Sequence, residues 1–245
     1  MKRIIFILFI SLGLNSQNLV EKITFQSANP FSFHDVIIDL ENQEKQEVFG
    51  ELVIPYDSLN PEKKYPLVLG VAGSLGWKNH HYEYLTMYQN LGFATFELNS
   101  FKSRSIESTV GDQTQVTTAA IILDAYRALE ILSDHPNIIK DKISITGWSL
   151  GGAVTFFSAW IPLKNAINKD LQFASHLAFY PPCFFEPENL DFTDSPIHIL
   201  IGELDNWTPS DPCNTLVDKL KNKANIDITV YKDSCLLYTS PSPRD

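Results

Sequence analysis

The sequence predicts one α/β domain, a mostly parallel central sheet flanked by helices, with antiparallel strands at its N-terminal edge. Three observations carry that expectation. Short apolar runs alternate with helical periodicity from Pro66 to Tyr231, and helices of this length join parallel strands through right-handed crossovers. Pro66–Val71 is continuously apolar, as a strand covered on both faces must be. Ahead of it, Leu19–Phe25, Val36–Leu40 and Val48–Ile54 alternate apolar and polar residues around turn material at Asn29-Pro30 and Asn42–Lys45, the pattern of half-buried antiparallel strands.

Taken in order, Asp57–Lys64 is a polar connection, Pro66–Val71 the first parallel strand, Tyr82–Asn90 a helix and Gly92–Leu98 the next strand. Thr114–Ser133 carries Ala119, Ile122, Leu123, Tyr126, Leu129 and Leu132 at helical spacing and stops at His135-Pro136, a helix-ending pair. Strands follow at Lys142–Thr146, Leu177–Tyr180, Ile197–Ile201 and Ile226–Tyr231, with helices at Leu150–Trp160 and Asp211–Asn222.

Both ends read as additions to this domain, which spans residues 17–234. Residues 1–16 begin Met1-Lys2-Arg3 and run apolar from Ile4 to Leu14, the build of a secretory signal peptide and too short for a membrane span. The mature protein is expected to be secreted or periplasmic, without stable membrane insertion. Residues 235–245, Cys235-Leu-Leu-Tyr-Thr-Ser-Pro-Ser-Pro-Arg-Asp245, match the translation of a transposase adapter used in sequencing libraries, so the native gene is expected to diverge just past Ser234. Without that tail two cysteines remain, Cys183 and Cys213, which in an oxidising compartment either pair or serve as two small core residues.

A formal charge of −10 argues against a nucleic-acid partner, because phosphate binding needs clustered Lys and Arg. No metal-ligand spacing is present: His80-His81 lacks the helical i, i+4 offset and no two cysteines are close. No cofactor is implied.

The chemistry concentrates at Gly147-Trp148-Ser149-Leu150-Gly151-Gly152, between a strand and a helix, where a nucleophile elbow belongs. Gly147 and Gly151 relieve crowding in a tight turn, and the helix start behind Ser149 favours an oxyanion. A hydrolytic Ser needs two N–H donors for that oxyanion. Leu150 supplies one from its backbone; the other is expected from the loop Ala72–Trp77, with the Ser74 backbone as candidate. In this arrangement the acid follows the Ser and precedes the His. Asp205, just past Ile197–Ile201, is the candidate acid, with Glu203 competing; Asp194 precedes the strand and falls at the wrong edge.

These residues resemble the α/β-hydrolase superfamily and, within it, the dienelactone-hydrolase-like group. The likeness covers Pro66 to Tyr231. It rests on the elbow, on Leu98-Asn99-Ser100-Phe101, on Gly111-Asp112-Gln113, on Ala178–Cys183, and on Gly202-Glu203-x-Asp205-x-Trp207-Thr208-Pro209 with Cys213 beyond. It implies an esterase or lactonase acting on small-molecule esters or lactones through Ser149 and Asp205. Two departures stand out: founding members carry Cys where Ser149 stands, and many relatives read His-Gly where this chain has Ala72-Gly73.

The expected base is missing. The six His are His34, His80, His81, His135, His176 and His198, all before Asp205, whereas in relatives the His follows the last strand, where the adapter-like tail begins. Without a base the hydroxyl is a poor nucleophile, so the chain as written is expected to be inactive. A peptidase on the same scaffold and a non-catalytic binding protein are the alternatives. His80 and His81 read as a solvated loop pair, and His135 and His198 as structural. Trp77, Trp148 and Trp207 flank the candidate site as pocket or core residues, and Asn206-Trp207-Thr208 fits a glycosylation acceptor.

Overall fold

The structure is a computed structural model that describes residues 18–235 apart from Tyr56 and Ser58. The signal segment and nearly all of the adapter-like tail therefore lie outside the described residues. The described chain runs β1 (Asn18–Ala28), α1 (Phe33–Ile38), β2 (Lys45–Pro55), β3 (Tyr65–Val71), α2 (Asn79–Asn90), β4 (Ala94–Leu98), α3 (Thr118–Ser133), β5 (Ile138–Trp148), α4 (Leu150–Phe157), α5 (Ile161–Ile167), β6 (His176–Phe179), β7 (Ile197–Gly202), α6 (Ser210–Leu220) and β8 (Ile226–Tyr231). Its strands form one sheet in the order β1-β2-β4-β3-β5-β6-β7-β8.

Pairing is parallel from β4 through β8, and β1 and β2 are antiparallel at the edge. This is the mostly parallel α/β architecture that the alternation implies, and the α/β-hydrolase-type fold that the resemblance implies. The central strands are covered on both faces: Leu67, Leu69, Phe96, Ile199, Ile122 of α3 and Val154 of α4 have no measurable exposure. Chain order reverses between β3 and β5, so the loops after these two strands flank the crevice where α/β proteins bind ligands.

Three local readings need correction. Val36–Leu40 belongs to a helix and a following 3₁₀ turn, not a strand. Ser32 and Asp35 form a reciprocal capping box there: Ser32 Oγ accepts from the Asp35 amide at 3.3 Å and Asp35 Oδ2 from the Ser32 amide at 2.8 Å. That local bonding outweighs a short alternation. The helix at Leu150 ends at Phe157, and a second begins at Ile161 with Pro162 in its first turn, a position that suits proline's fixed φ. The long helix starts at Thr118 because Thr117 Oγ1 caps the Ala120 amide at 3.1 Å.

One buried network ties the N-terminal edge to the site face. Arg104 makes a bidentate pair with Asp124 of α3 at 2.7 and 3.1 Å, and also donates to Asn29 Oδ1 and to the Ala28 and Ser100 carbonyls. Ser27 Oγ donates to Asp124 as well.

Candidate active site

Ser149 is the single residue between the end of β5 and the start of α4, and it takes φ 55°, ψ −115°. A non-glycine residue in this region costs about 1–3 kcal/mol and persists only where its surroundings impose it. Those surroundings are tight. A Cβ on Gly147 would collide with the Gly151 carbonyl and fall 2.7 Å from Thr155 Oγ1; one on Gly151 would collide with the Val71 carbonyl. The Ser149 amide donates to the Phe179 carbonyl at 3.0 Å, and its carbonyl accepts from Ala153 at 3.0 Å. Trp148 and Leu150 on either side are buried while Ser149 is partly exposed, so the turn leaves this side chain with access to solvent. Leu150 opens α4, where backbone N–H groups have no carbonyl one turn earlier in the helix.

The loop after β3 lies against this turn: a Cβ on Gly73 would stand 3.4 Å from Ser149 Cβ and 3.0 Å from the Trp148 carbonyl oxygen. The loop is pinned from its far side. The Ser74 carbonyl accepts from the Thr109 amide at 2.8 Å and from Ser108 Oγ at 3.0 Å, and Ser74 Oγ accepts from Gln113 Nε2 at 3.1 Å. Sequence reading picked out Gly111-Asp112-Gln113 only as a resemblance; the structure makes Gln113 a support for the Ser74 loop.

Asp205 sits past the C-terminal end of β7, 5% exposed. Its Oδ1 accepts from the Trp207 and Thr208 amides and its Oδ2 from Thr208 Oγ1, each at 2.9 Å. A carboxylate so held has one fixed orientation. Glu203 is exposed and accepts from the Asp233 amide at 3.1 Å. Asp194 lies before β7, bonded to Gln172 at 2.9 Å. The Asn206-Trp207-Thr208 triplet thus lies within the turn that holds Asp205, with the Thr208 hydroxyl donating to its carboxylate.

The chain past β8 returns to the turn that carries Asp205. The Leu204 amide donates to the Ser234 carbonyl and the Glu203 amide to the Tyr231 carbonyl, both at 2.9 Å. Among the described residues no His hydrogen-bonds Ser149 or Asp205. His81 is not a solvated loop residue but 3% exposed in the first turn of α2. Its Nδ1 accepts from the Lys78 amide at 3.0 Å, its ring packs 4.6 Å from Trp148, and burial pushes its pKa down to about 3. His135 contacts Glu21 at 3.3 Å and His198 contacts Thr229 at 2.9 Å, both packing duties.

The sulfurs of Cys183 and Cys213 are 2.00 Å apart, as a disulfide. Trp148 is core, 1% exposed and stacked on Phe179 at 5.5 Å, whereas Trp207 is 62% exposed beside Asp205. Trp77 lines a cavity of about 350 Å³ with Val71, Ala72, Leu98, Phe101 and Ile121. That cavity lies between the Ser74 loop and the segment after β4, and neither Ser149 nor Asp205 lines it. No group of His, Cys, Asp and Glu among the described residues could hold a metal ion. No described helix is long and apolar enough to cross a membrane.

Solved structures with this architecture include a Klebsiella pneumoniae protein whose name assigns it to the dienelactone hydrolases, at TM-score 0.63 and 16% identity over 91% of each chain. Thermogutta terrifontis esterase 2, phosphoramylated by tabun, aligns at TM-score 0.64 and 12% identity over 89% of this chain and 87% of its own. A dienelactone hydrolase-like promiscuous phosphotriesterase from metagenomic libraries aligns at 0.57 and 15% over 87% and 83%. At these identities the likeness is one of fold. No curated protein matches the chain. The model of the dienelactone hydrolase family matches residues 60–241, a span that holds both Ser149 and Asp205 and overlaps the start of the adapter-like tail. The chain belongs to the dienelactone hydrolase family.

Proposed function

We propose that this protein is a serine hydrolase that cleaves carboxylic esters or lactones through an acyl-enzyme, exported by residues 1–16. The observation that carries the reading is the backbone of Ser149, a strained residue between β5 and α4 that a merely structural turn would not need. Ser149 Oγ attacks the substrate carbonyl carbon; the carbonyl oxygen takes the negative charge and is held by the Leu150 and Ser74 amides. The C–O bond to the leaving alcohol breaks, the alcohol takes a proton, and water then releases the acid. Esters of small molecules suit a family of hydrolases and a relative named as an esterase.

The proton carrier is a His encoded past Ser234 in the native gene, oriented by Asp205. Two facts support that placement. The Tyr231 and Ser234 carbonyls accept from the Glu203 and Leu204 amides, so the chain up to Ser234 runs beside the turn that carries Asp205. β5 and β7 flank β6, which separates the Ser149 and Asp205 strand ends by about 10 Å, a gap that an imidazole bonded at both nitrogens helps to bridge.

The test is ester hydrolysis by the protein carrying its native codons past Ser234. A Ser149→Ala variant should lose activity by about 10³-fold or more; equal rates would sink the reading. The chain with its present tail should turn over little or no ester. A Ser149-dependent burst from it would remove the need for a later His. If the native frame closes without a His, the binding-protein reading takes the lead.

A further inference from the structure

The geometry points to the Cys183–Cys213 disulfide as a positioning device that sets the acid's turn against the nucleophile's elbow, an inference that rests on the reading of Ser149 and Asp205 above. Four of the five parallel connections in the sheet cross through helices: α2, α3, α4 with α5, and α6. The fifth, from β6 to β7, is the irregular stretch 180–196, with no helix or named strand. Irregular connections of this length are uncommon in compact domains, and this one lies directly between the two proposed catalytic loops.

On one side the stretch belongs to the elbow. The Ser149 amide donates to Phe179, and a Cβ on Gly152 would come 2.6 Å from the Phe179 carbonyl oxygen and 3.2 Å from Pro181 Cα. Tyr180, at φ 38°, then turns the chain sharply. On the other side Cys213 lies in the first turn of α6, which follows directly on Asp205–Thr208. The path from elbow to Asp205 therefore runs by one hydrogen bond from Ser149 to Phe179 and then covalently through Tyr180, Cys183, Cys213 and Thr208. Where a crossover helix would hold the two loops in register, the disulfide does so. Cys183 is 6% exposed and Cys213 fully buried, so the strap is shielded within the folded protein rather than laid on its surface.

The test is site-resolved amide exchange on the full chain, comparing the protein with a Cys183→Ser/Cys213→Ser double variant. The probes are the Trp207 and Thr208 amides, which donate to Asp205, against the Ile145 amide, which donates to Ser175 in the sheet. The expected result is exchange at Trp207 and Thr208 at least about tenfold faster, with Ile145 unchanged. Unchanged protection at Trp207 and Thr208 overturns the proposal. So does equal acceleration at all three, the signature of an ordinary crosslink that only adds global stability.

Should the double variant fail to fold, the same amides are followed in the folded protein after treatment with a dithiol. The dithiol gives two electrons and two protons to the S–S bond, two thiols form, and the dithiol closes to its cyclic disulfide. The exchange readout needs no turnover. An inert Ser149 would sink the hydrolase reading while leaving the loop coupling measured, and unaltered exchange would sink the coupling while leaving the hydrolase reading intact.

Discussion

Gly147 and Gly151 meet across the elbow so closely that a Cβ on the first would collide with the carbonyl of the second. The obstacle is backbone, which cannot swing aside as a side chain can. Gly147→Ala is expected to cost about 2–3 kcal/mol through overpacking, read as a lower denaturant midpoint at unchanged slope. Gly111→Ala is the control: its Cβ meets nothing within 4 Å, so its midpoint should hold or rise slightly. Equal effects at the two positions would mean that the elbow is not the constraint.

Asp124 is wholly buried and Arg104 nearly so, at 0% and 6% side-chain exposure. Asp124→Leu removes the carboxylate that compensates the guanidinium and should destabilise by about 3–5 kcal/mol. Thermal denaturation checks this, and a loss under about 1 kcal/mol would show that Arg104 finds other partners.

His176 lies buried at the start of β6, and that burial lowers its pKa to about 4 against a smaller upward pull from a backbone hydrogen bond with Pro196. The unfolded chain, with an ordinary His near 6.5, binds more protons below that pH. Stability is therefore complete above about pH 6.5 and is lost as pH falls through about 4. His81, pushed down to about 3 for the same reason, extends the loss to lower pH. His176→Leu should flatten the slope between these values in denaturant titrations taken across the range, at little cost near neutrality. A slope identical to that of the parent protein would rule out His176 as its source.

Thr208 supplies one side-chain and one backbone donor to Asp205. Thr208→Val keeps the shape and removes the hydroxyl, and should lower stability by about 1–3 kcal/mol. Calorimetry checks it: an unchanged melting temperature would mean that the two amides alone hold the carboxylate.

The fold was legible where local chemistry and pattern agree. Pro66–Val71 read as a buried strand because a strand covered on both faces is nearly continuous in apolar residues, and Gly147–Gly152 read as an elbow because its steric demands act over six residues. Legibility failed where a short pattern met a stronger local bond: Ser32 and Asp35 turned Val36–Ile38 into a helix, and Pro162 started a helix of its own. His81 read as solvated because nothing in its neighbourhood in sequence reveals that Trp77 and Trp148 close over it.

By itself, then, the sequence determined the α/β class and the candidate nucleophile and acid, because each follows from spacing along a few residues or from chain order, while the family rests on the likeness of its motifs and the matching family model. Only the tertiary structure decided that Gln113 braces the Ser74 loop, that Arg104 and Asp124 bind the edge strand to α3, and that residues 231–234 return beside Asp205. Those contacts join residues far apart in the chain, and strand order in the sheet decides which of them meet. One-dimensional periodicity says which face of a strand is buried, but not which strand lies next to it.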